Sequence, residues 1–407
     1  MKILMATHYF ASHQGGIEIV AGHLFRELSA LQIVWAATDA TPPPEATGAA
    51  RVVCLRASNF VERQTGLPCP IPTLGTLRKL RDEVRRADVV LIHDCLYLTN
   101  IATYLFARSA GIPVILIQHI GLVSYSNRLL SGLMKLANAL ITRNMLRGAQ
   151  QVVFISETTK LYFGRLSFRS IPAVIFNGVD TETFRPPDEI KTKESCRRQF
   201  GLPTDRPVIL FVGRFVEKKG LAVLQRMVAM APGYSWVFAG WGPLDPRNWE
   251  AANVHVFSDL HGSSLAELYA ASDLFVLPST GEGFPLVIQE ALACGLPVVC
   301  GSETAMADPA LAPLIQGVDL QPGDEDRSAR NFVAAVNNLL KSSAKLDYLQ
   351  EVRRGFVQSH YSWKQAATRY LGIAARLVPE TENAQSAMSD QSGPGKRAQV
   401  ASRGAAL

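Results

Sequence analysis

The chain has 407 residues, of which 48% are hydrophobic and 19% charged, and its formal net charge is +6. This length exceeds one ordinary α/β core, so we expect two globular domains and no fibrous or disordered character before the C-terminal tail. The six cysteines are scattered, which excludes the close pairs of a zinc site and the dense framework of a secreted disulfide domain.

The N-terminal run MKILMATHYF carries one Lys and a short apolar stretch, which predicts a first strand and not a signal peptide. No segment approaches the roughly 20 apolar residues that cross a bilayer. We therefore expect a soluble cytoplasmic protein.

Charge is unevenly distributed along the chain. Residues 1–172 contain 18 Lys and Arg against 10 Asp and Glu, a net charge of +8, whereas the remainder contains 23 against 25. No acid occurs between residues 95 and 156. An electropositive first half attracts anions such as phosphate, anionic lipid or nucleic acid. Because no nucleic-acid module or aromatic stacking platform accompanies it, we expect no nucleic-acid partner.

Short β-branched runs alternate with amphipathic helical segments. The runs are KILMA, ADVVLI, PVILIQ and QVVFI in the first half, then PVILFVG, SWVFAG, NVHVF, DLFVLP and LPVVC in the second. Such runs predict parallel strands covered on both faces, hence the α/β fold class. Ligands bind at the carboxyl ends of strands in such sheets, so the loops there are the candidate functional segments.

Composition shifts divide the chain. The segment NGVDTETFRPP supplies a Gly turn and a Pro pair between the two alternating series, and a Ser-, Ala- and Gln-rich stretch ends the chain. The predicted parts are an N-terminal α/β domain at 1–172, a linker at 173–187, a C-terminal α/β domain at 188–358, a helix at 359–378 that packs back on the first domain, and a disordered tail at 379–407.

The stretch STGEGFPLVIQEALAC follows a predicted strand. Pro285 suits the first turn of a helix, which places Glu282 in the loop and Glu290 roughly 7 Å along the helix axis. The two carboxylates and the helix N-terminus could hold two parts of an extended polar ligand. An exposed loop Glu and a helix-surface Glu are the alternative, but Glu290 has apolar neighbours at 287, 288, 291 and 292.

Two further loops point to an anionic ligand. Arg214 leaves the carboxyl end of a strand and Lys219 precedes a helix, so both cations could converge on a diphosphate. A solvated charged loop is equally compatible with this segment. Gly15 and Gly16 precede another helix start, where backbone can approach phosphate. No G-x-G-x-x-G follows the first strand, which argues against a nicotinamide dinucleotide enzyme.

As an ordered set, these motifs resemble the retaining glycosyltransferases of family 4, which have the GT-B architecture of two facing Rossmann-like domains with a cleft between them. The matching elements are GGIE at 15–18, NGVD at 177–180, GRFVEKKG at 213–220, GWGP at 240–243, the Glu-x7-Glu signature from Glu282 to Glu290, and YSW at 361–363. They extend over nearly the whole chain.

The resemblance implies a role for each matching position. The N-terminal domain would face the acceptor and the C-terminal domain would bind the nucleotide sugar. Arg214 and Lys219 would hold the donor diphosphate, and Glu290 would bind the ribose. Glu282 would bind the transferred sugar, together with backbone of Gly283, Phe284 and Leu286. Gly15 and Gly16 would approach the diphosphate, and Gly240 and Gly242 would leave room for the base. His119 matches a family histidine near the reactive carbon, so the implied catalytic residues are His119, Glu282, Arg214 and Lys219.

Several positions stay open. The pair His93 and Asp94 follows another predicted strand and could be functional or structural, while His8, His13, His255 and His261 are interpreted as structural or surface residues. Two departures limit the transfer of roles: Pro285 cannot donate a hydrogen bond, and FSDLHG at 257–262 differs from the commoner glycine-containing pattern, which leaves base recognition open.

The resemblance implies retaining transfer of a hexose from a nucleotide-diphosphate sugar, of UDP or GDP, in cell-surface polysaccharide or glycolipid synthesis. It is silent about the acceptor, for which we expect a glycan or a lipid-linked sugar. It implies no cofactor and no metal; the D-x-D at 324–326 has no preceding strand. The alternatives are a sugar-nucleotide epimerase or phosphorolytic enzyme on the same fold, or an inactive sugar-nucleotide sensor.

The segment at residues 127–148 is basic and amphipathic. Leu129, Leu133, Leu136 and Leu140 recur at helical spacing among four cations and no acid. Such a helix could lie on an anionic membrane at the inner cytoplasmic face, or its Leu face could pack on the first sheet.

Overall fold

The computed structural model of the protein describes residues 1–13, 15–60, 69–121, 128–186, 192–341 and 343–378. The predicted tail at 379–407 lies outside the described residues. Two parallel sheets, each covered by helices, form two Rossmann-like halves, which confirms the predicted fold class.

The first sheet has seven strands in the order β3-β2-β1-β6-β7-β8-β9. Their bounds are β1 Lys2–Ala6, β2 Gln32–Thr38, β3 Arg51–Leu55, β6 Val89–His93, β7 Val114–Gln118, β8 Gln151–Phe154 and β9 Ala173–Val174, and a small antiparallel pair, β4 Ala57–Ser58 and β5 Ile71–Pro72, lies apart. Neighbouring strands of the large sheet run parallel. The strand order reverses between β1 and β6, which opens a crevice at their carboxyl ends.

The second sheet has six parallel strands in the order β12-β11-β10-β13-β14-β15. Their bounds are β10 Val208–Val212, β11 Ser235–Ala239, β12 Val254–Phe257, β13 Leu274–Leu277, β14 Val298–Gly301 and β15 Gln316–Val318. Its strand order reverses between β10 and β13, so this half has its own ligand crevice.

Helices follow most of the strands. Their bounds are α1 Gly16–Glu27, α2 Leu74–Arg85, α3 Leu98–Ala110, α4 Arg128–Ala137, α5 Arg143–Gly148, α6 Glu157–Tyr162, α7 Lys193–Gln199, α8 Leu221–Met230, α9 Gly262–Ala271, α10 Leu286–Ala293, α11 Ser302–Ala305, α12 Glu325–Lys341, α13 Ser343–His360 and α14 Trp363–Leu377. Among the described residues, no helix is long and apolar enough to cross a membrane.

Helix α14 belongs spatially to the first half. Its buried face, from Trp363 to Ala374, packs in the same apolar cluster as Ile3 and Met5 of β1 and as Leu24 of α1. The chain therefore crosses between the halves twice. The two crossings meet where the Val179 amide donates to the Tyr361 carbonyl at 3.0 Å.

The structure corrects two local predictions. Pro285 has extended backbone and caps α10 from outside, so it does not lie in the helix's first turn. The predicted helix at 127–148 is interrupted by a π-helical turn at Asn138–Thr142, which separates α4 from α5.

Strands β2 and β3, absent from the predicted runs, extend the first sheet beyond β1. They pair with each other over five residues, from Val34 with Arg51 to Thr38 with Leu55.

Candidate active site

The candidate residues of the second half lie at the carboxyl ends of β10 and β13, on either side of the strand-order reversal. The loop after β10 carries Arg214 and Lys219, and the loop after β13 carries Glu282. The Thr280 amide donates to the Lys218 carbonyl at 2.9 Å, which fastens the two loops together. Motifs about 60 residues apart in sequence thus form one site.

Glu282 and Lys219 form an ion pair. Lys219 Nζ lies 2.9 Å from Glu282 Oε1, and Lys218 Nζ lies 3.9 Å from the same oxygen. The Glu282 side chain is only 10% exposed. Burial opposes its ionisation, but the two lysines outweigh that cost and lower the pKa of Glu282 below its usual value. A cation and a hydrogen-bond acceptor therefore stand side by side.

Arg214 contacts an aromatic ring. Its guanidinium carbon lies 4.7 Å from the centre of the Trp241 ring. Within the described part of the chain, no carboxylate lies within ion-pair distance of Arg214, and its Nε has no hydrogen-bond partner. Among the described residues, the Arg214 guanidinium therefore lies near the end of β10 with no carboxylate paired to it.

Gly240 and Gly242 are required by the packing of the loop itself. Their φ values are +148° and +154°, and a Cβ would lie 2.0 Å from the Gly213 carbonyl oxygen and 2.5 Å from that of Phe215. Any larger residue would push the loop after β11 away from the loop after β10. The role expected from the resemblance, room for the base, stays a prediction.

Glu290 lies within α10 and is paired with a buried tyrosine. The Tyr269 hydroxyl donates to Glu290 Oε2 at 2.9 Å and contacts the Val287 carbonyl at 3.2 Å. Burial raises the pKa of Glu290 to about 7, although the Tyr269 hydrogen bond lowers it in part. The carboxyl group is therefore poised between its neutral and ionised forms near neutral pH.

In the first half, His119, His93 and Asp94 lie together at the ends of β6 and β7. His93 Nδ1 is 3.0 Å from His119 Nε2, and the His119 amide donates to Asp94 Oδ1 at 3.2 Å. Burial lowers the pKa of His119 to about 4 and raises that of Asp94 to about 7. Asp94 has φ +65° and its Oδ2 is buried without a partner, a strained arrangement typical of functional sites.

His8 and Glu18 join this cluster, and the sequence interpretation missed their pairing. His8 Nε2 lies 2.7 Å from Glu18 Oε1, and each residue is 2% exposed. Burial opposes ionisation of Glu18, but the His8 ring and its hydrogen bond outweigh it, and the pKa of Glu18 is lowered. The signal was the one used for Glu290: Glu18 is an acid among the apolar residues Ile17, Ile19 and Val20.

The two halves touch within the site. A Cβ on Gly283 would lie 1.9 Å from the His119 carbonyl oxygen and 3.0 Å from Ile155 Cδ1. Leu286, the first residue of α10, packs against the apolar cluster of the first half, whereas the Phe284 ring packs on Phe176 and Tyr361. The backbone of His119 and the loop that carries Glu282 are therefore in contact where the two halves meet.

The glycine pair before α1 has two different environments. Gly15 caps the helix and lies against the Glu18 carboxylate, whereas space is open where a Gly16 Cβ would point. Among the described residues, no group of three His, Cys, Asp or Glu side chains is arranged to hold a metal ion.

Comparisons with known proteins agree with this architecture. The model of Glycosyltransferase Family 4 matches residues 14–183, and the model of Glycosyl transferases group 1 matches residues 192–354. One model thus covers each half. The chain belongs to the glycosyltransferases of family 4.

Curated relatives of this family 4 chain align over part of their length. D-inositol 3-phosphate glycosyltransferase of Mycolicibacterium smegmatis is 34% identical over 37% of the chain and 38% of the relative, and the protein of that name in Mycobacterium marinum is 32% identical over 42% and 37%. TuaC of Bacillus subtilis, named for teichuronic acid biosynthesis, is 35% identical over 30% and 31%. The matches span less than half the length of these relatives.

Solved structures resemble this family 4 chain over nearly its full length. Sucrose-phosphate synthase of Thermosynechococcus elongatus has a TM-score of 0.72 at 19% identity and covers 93% of the chain and 99% of its own. HepE of Anabaena, solved with UDP and glucose, has a TM-score of 0.66 at 16% identity over 92% and 99%. At these identities the likeness shows the fold, which is GT-B.

Proposed function

We propose that the protein is a retaining glycosyltransferase that moves a hexose from a nucleotide-diphosphate sugar to an acceptor, in cell-surface polysaccharide or glycolipid synthesis. The observation that carries the proposal is the Lys219–Glu282 ion pair of 2.9 Å, in a loop that touches His119 across the cleft. A cation and a carboxylate side by side, next to the backbone of His119, support binding of a phosphate and of sugar hydroxyls at this point of the cleft.

Breaking a sugar–phosphate bond develops negative charge on the departing diphosphate and positive character on the sugar. In our proposal Arg214 and Lys219 stabilise the diphosphate, since preorganised donors act most strongly where charge appears in the transition state. Gly16 approaches the diphosphate from the opposite half, where the space beyond its Cα is open.

Glu282 accepts hydrogen bonds from the hydroxyls of the transferred sugar, helped by backbone of Gly283, Phe284 and Leu286. Glu290 accepts from the ribose hydroxyls, which its ionised form does best. Its Oε2 is already oriented by Tyr269. His119 faces the reacting carbon; because burial holds its pKa at about 4, the ring is neutral at physiological pH. A neutral imidazole can accept or donate without repelling the positive sugar.

Retention follows, in this proposal, from attack on the face that the diphosphate leaves, with a diphosphate oxygen taking the proton of the acceptor hydroxyl. Glu282 is paired with Lys219, and Glu290 accepts a hydrogen bond from Tyr269. These contacts support binding roles for the two carboxylates and argue against a double displacement, in which a pair of carboxylates would act as nucleophile and acid. The proposal involves no metal and no cofactor besides the donor.

The acceptor is proposed to be lipid-linked, because three Leu side chains that the structure describes in the segment at 127–148 are exposed. Leu133, Leu136 and Leu140 are 60%, 55% and 59% exposed, which contradicts the interpretation that this face packs on the sheet; the side chain of Leu129 lies outside the described residues. Lys135 and Arg143 are exposed on the same segment. Apolar residues flanked by cations fit an anionic bilayer surface.

This segment is connected to the cleft. The Asn138 side chain donates to the Tyr162 hydroxyl at 3.3 Å, and a Cβ on Gly121 would lie 3.2 Å from the Tyr162 ring. Gly121 follows His119 by two residues. A protein resting on a membrane through this segment would bring the acceptor side of its cleft toward the lipid headgroups.

A thermal-shift screen against nucleotide sugars tests the proposed activity. A donor that binds the native state at 100 times its Kd stabilises it by about 2.7 kcal/mol, and UDP-glucose, GDP-mannose and ADP-glucose cover the main nucleotide classes. We expect one class to raise the Tm and to support transfer to a radiolabelled product. Glu290→Gln is the matched control that should lose most of the shift. Failure of all three classes to shift the Tm would contradict the proposal.

A further inference from the structure

Trp241 occupies an unusual place at the mouth of the second crevice. It lies between Gly240 and Gly242, directly after β11, and its side chain is 44% exposed. Neither the GWGP motif nor the proposed function assigns a role to Trp241.

The backbone holds the indole against Arg214. The Phe215 amide donates to the Trp241 carbonyl at 2.7 Å, and the Leu244 amide donates to the Phe215 carbonyl at 3.0 Å. These bonds pair the loop after β10 with the loop after β11, so Arg214 and Trp241 are presented side by side. The ring centre lies 4.7 Å from the guanidinium carbon, within cation–π range.

Arg214 has few other restraints. Across the ranges that the structure describes, no carboxylate pairs with it, whereas Lys219 is held by Glu282 at 2.9 Å. An unrestrained arginine loses much side-chain freedom when it binds an anion. Stacking on a ring removes part of that freedom in advance and leaves the N–H donors at the edge of the fork free for the ligand.

We infer that Trp241 is a positioning residue that stacks on Arg214 and holds its guanidinium ready for the donor diphosphate. The inference rests on the proposed function for its ligand, but the stack itself is a property of the free protein. Trp241 acts through Arg214 and makes no contact with the reacting atoms.

The competing occupant of the indole face is the nucleobase. A ring that stacks on the base would strengthen nucleoside and nucleoside diphosphate binding alike. A ring that orders Arg214 strengthens only ligands that carry the diphosphate. The two roles are therefore separated by comparing ligands with and without phosphate.

The experiment uses the full chain with Trp241→Leu, Trp241→Phe, Arg214→Ala and the double variant Arg214→Ala/Trp241→Leu. Calorimetry measures the binding of UDP, GDP and ADP and of the matching nucleosides. We expect Trp241→Leu to weaken the bound diphosphate roughly 5- to 30-fold and to leave nucleoside binding unchanged, with Trp241→Phe close to the parent protein. The double variant should bind no more weakly than Arg214→Ala.

Equal losses for nucleoside and diphosphate, or additive losses in the double variant, would overturn the positioning role. An independent readout is the Nε–Hε NMR signal of Arg214, assigned through Arg214→Lys, which the indole ring current should shift upfield in the parent protein and not in Trp241→Leu. An unshifted signal overturns the stack even if no diphosphate binds. A shifted signal without binding of any diphosphate contradicts the proposed function instead.

Discussion

Gly283 lies against the carbonyl oxygen of His119, so close that a Cβ at Gly283 would be 1.9 Å from that oxygen. The contact joins the loop after β13 to the loop after β7, one from each half. It brings the backbone of His119 in the first half against the loop that carries Glu282 in the second, and it requires a residue without a side chain.

Gly283→Ala should therefore separate the two halves at the reacting centre. Because a displacement of about 1 Å at such a site can cost 100-fold in rate, we expect kcat/KM to fall by about that factor. Gly75→Ala, on α2 with open space beyond its Cα, is the matched control and should stay fully active. Near-normal transfer by Gly283→Ala would mean that this contact is not part of the catalytic arrangement.

Arg214→Ala and Lys219→Ala should each remove most turnover and leave the fold intact. Losing one preorganised donor costs about 2.7 to 4 kcal/mol of transition-state stabilisation, a fall in kcat of about 100- to 1000-fold. Arg226→Ala, which removes a cation on α8 that pairs with Asp326 outside the site, is the control for loss of a cation elsewhere in the same half. Steady-state rates of the purified variants decide it, and near-normal turnover in both site variants would contradict the assignment.

Glu290→Ala should weaken donor affinity more than Glu282→Ala, whereas Glu282→Ala should mainly lower kcat. Ribose contacts are felt equally in the ground and transition states, while sugar contacts strengthen as the bond breaks. Separate measurement of donor Kd and kcat distinguishes them. The reverse pattern would show that the two carboxylates have exchanged roles.

Donor affinity should rise with pH through about 7. Glu290 is protonated below its pKa of about 7, and the neutral form is a poorer acceptor for two ribose hydroxyls. Binding of the ionised form alone predicts an affinity about 10-fold lower at pH 6 than at pH 8. Glu290→Gln should lose this part of the dependence, and an unchanged slope in that variant would assign it to another group, such as Asp94.

The raised pKa of Glu290 also makes the free energy of unfolding depend on pH, and this dependence has the opposite sign to that of donor affinity. The unfolded chain releases the Glu290 proton near 4.5, whereas the folded protein holds it to about 7. The folded state therefore binds more protons in this window, and the free protein loses stability as the pH rises through it. Denaturant unfolding of the parent protein and of Glu290→Gln between pH 4.5 and 7.5 measures this loss of stability, which should be smaller in the variant, because only the contribution of Asp94, whose pKa is also raised to about 7, remains.

Anionic vesicles should bind the protein through the segment at 127–148. We expect sedimentation with phosphatidylglycerol vesicles but not with phosphatidylcholine, and about 1 kcal/mol weaker binding for each of Lys135→Gln and Arg143→Gln. Leu136→Ser should weaken binding as well. Arg327→Gln/Lys341→Gln on α12 is the charge-matched control. Binding that ignores lipid charge, or no binding at low salt, would favour an acceptor that is not membrane-bound.

The fold class, and the candidate residues that lie in the C-terminal half, could be singled out from the sequence because the patterns that indicate them are local. Apolar runs bounded by turns predict parallel strands, and their carboxyl ends indicate where Arg214, Lys219 and Glu282 belong. Each lies in a contiguous motif, which made the residues easy to single out, although spacing alone left a solvated charged loop open for Arg214 and Lys219 and the family resemblance supplied the expected roles. Glu290 could be singled out because apolar neighbours surround it within one helix.

Other features depend on residues far apart in the chain, whose proximity is set by packing. His93 meets His119 only because β6 and β7 are adjacent in the first sheet. Arg214 meets Trp241 because two strand-end loops pair through backbone hydrogen bonds.

The amphipathic pattern at 127–148 also separates what the sequence indicates from what packing decides. Periodicity predicts a Leu face on a helix, and a Leu face can meet either a sheet or a membrane. Exposure depends on which surfaces the neighbouring elements leave uncovered, which periodicity does not encode. The fold turns Leu133, Leu136 and Leu140 outward, while Met145 and Leu146 of the same segment pack in an apolar cluster of the first sheet, so packing decides which apolar residues of the segment stay exposed.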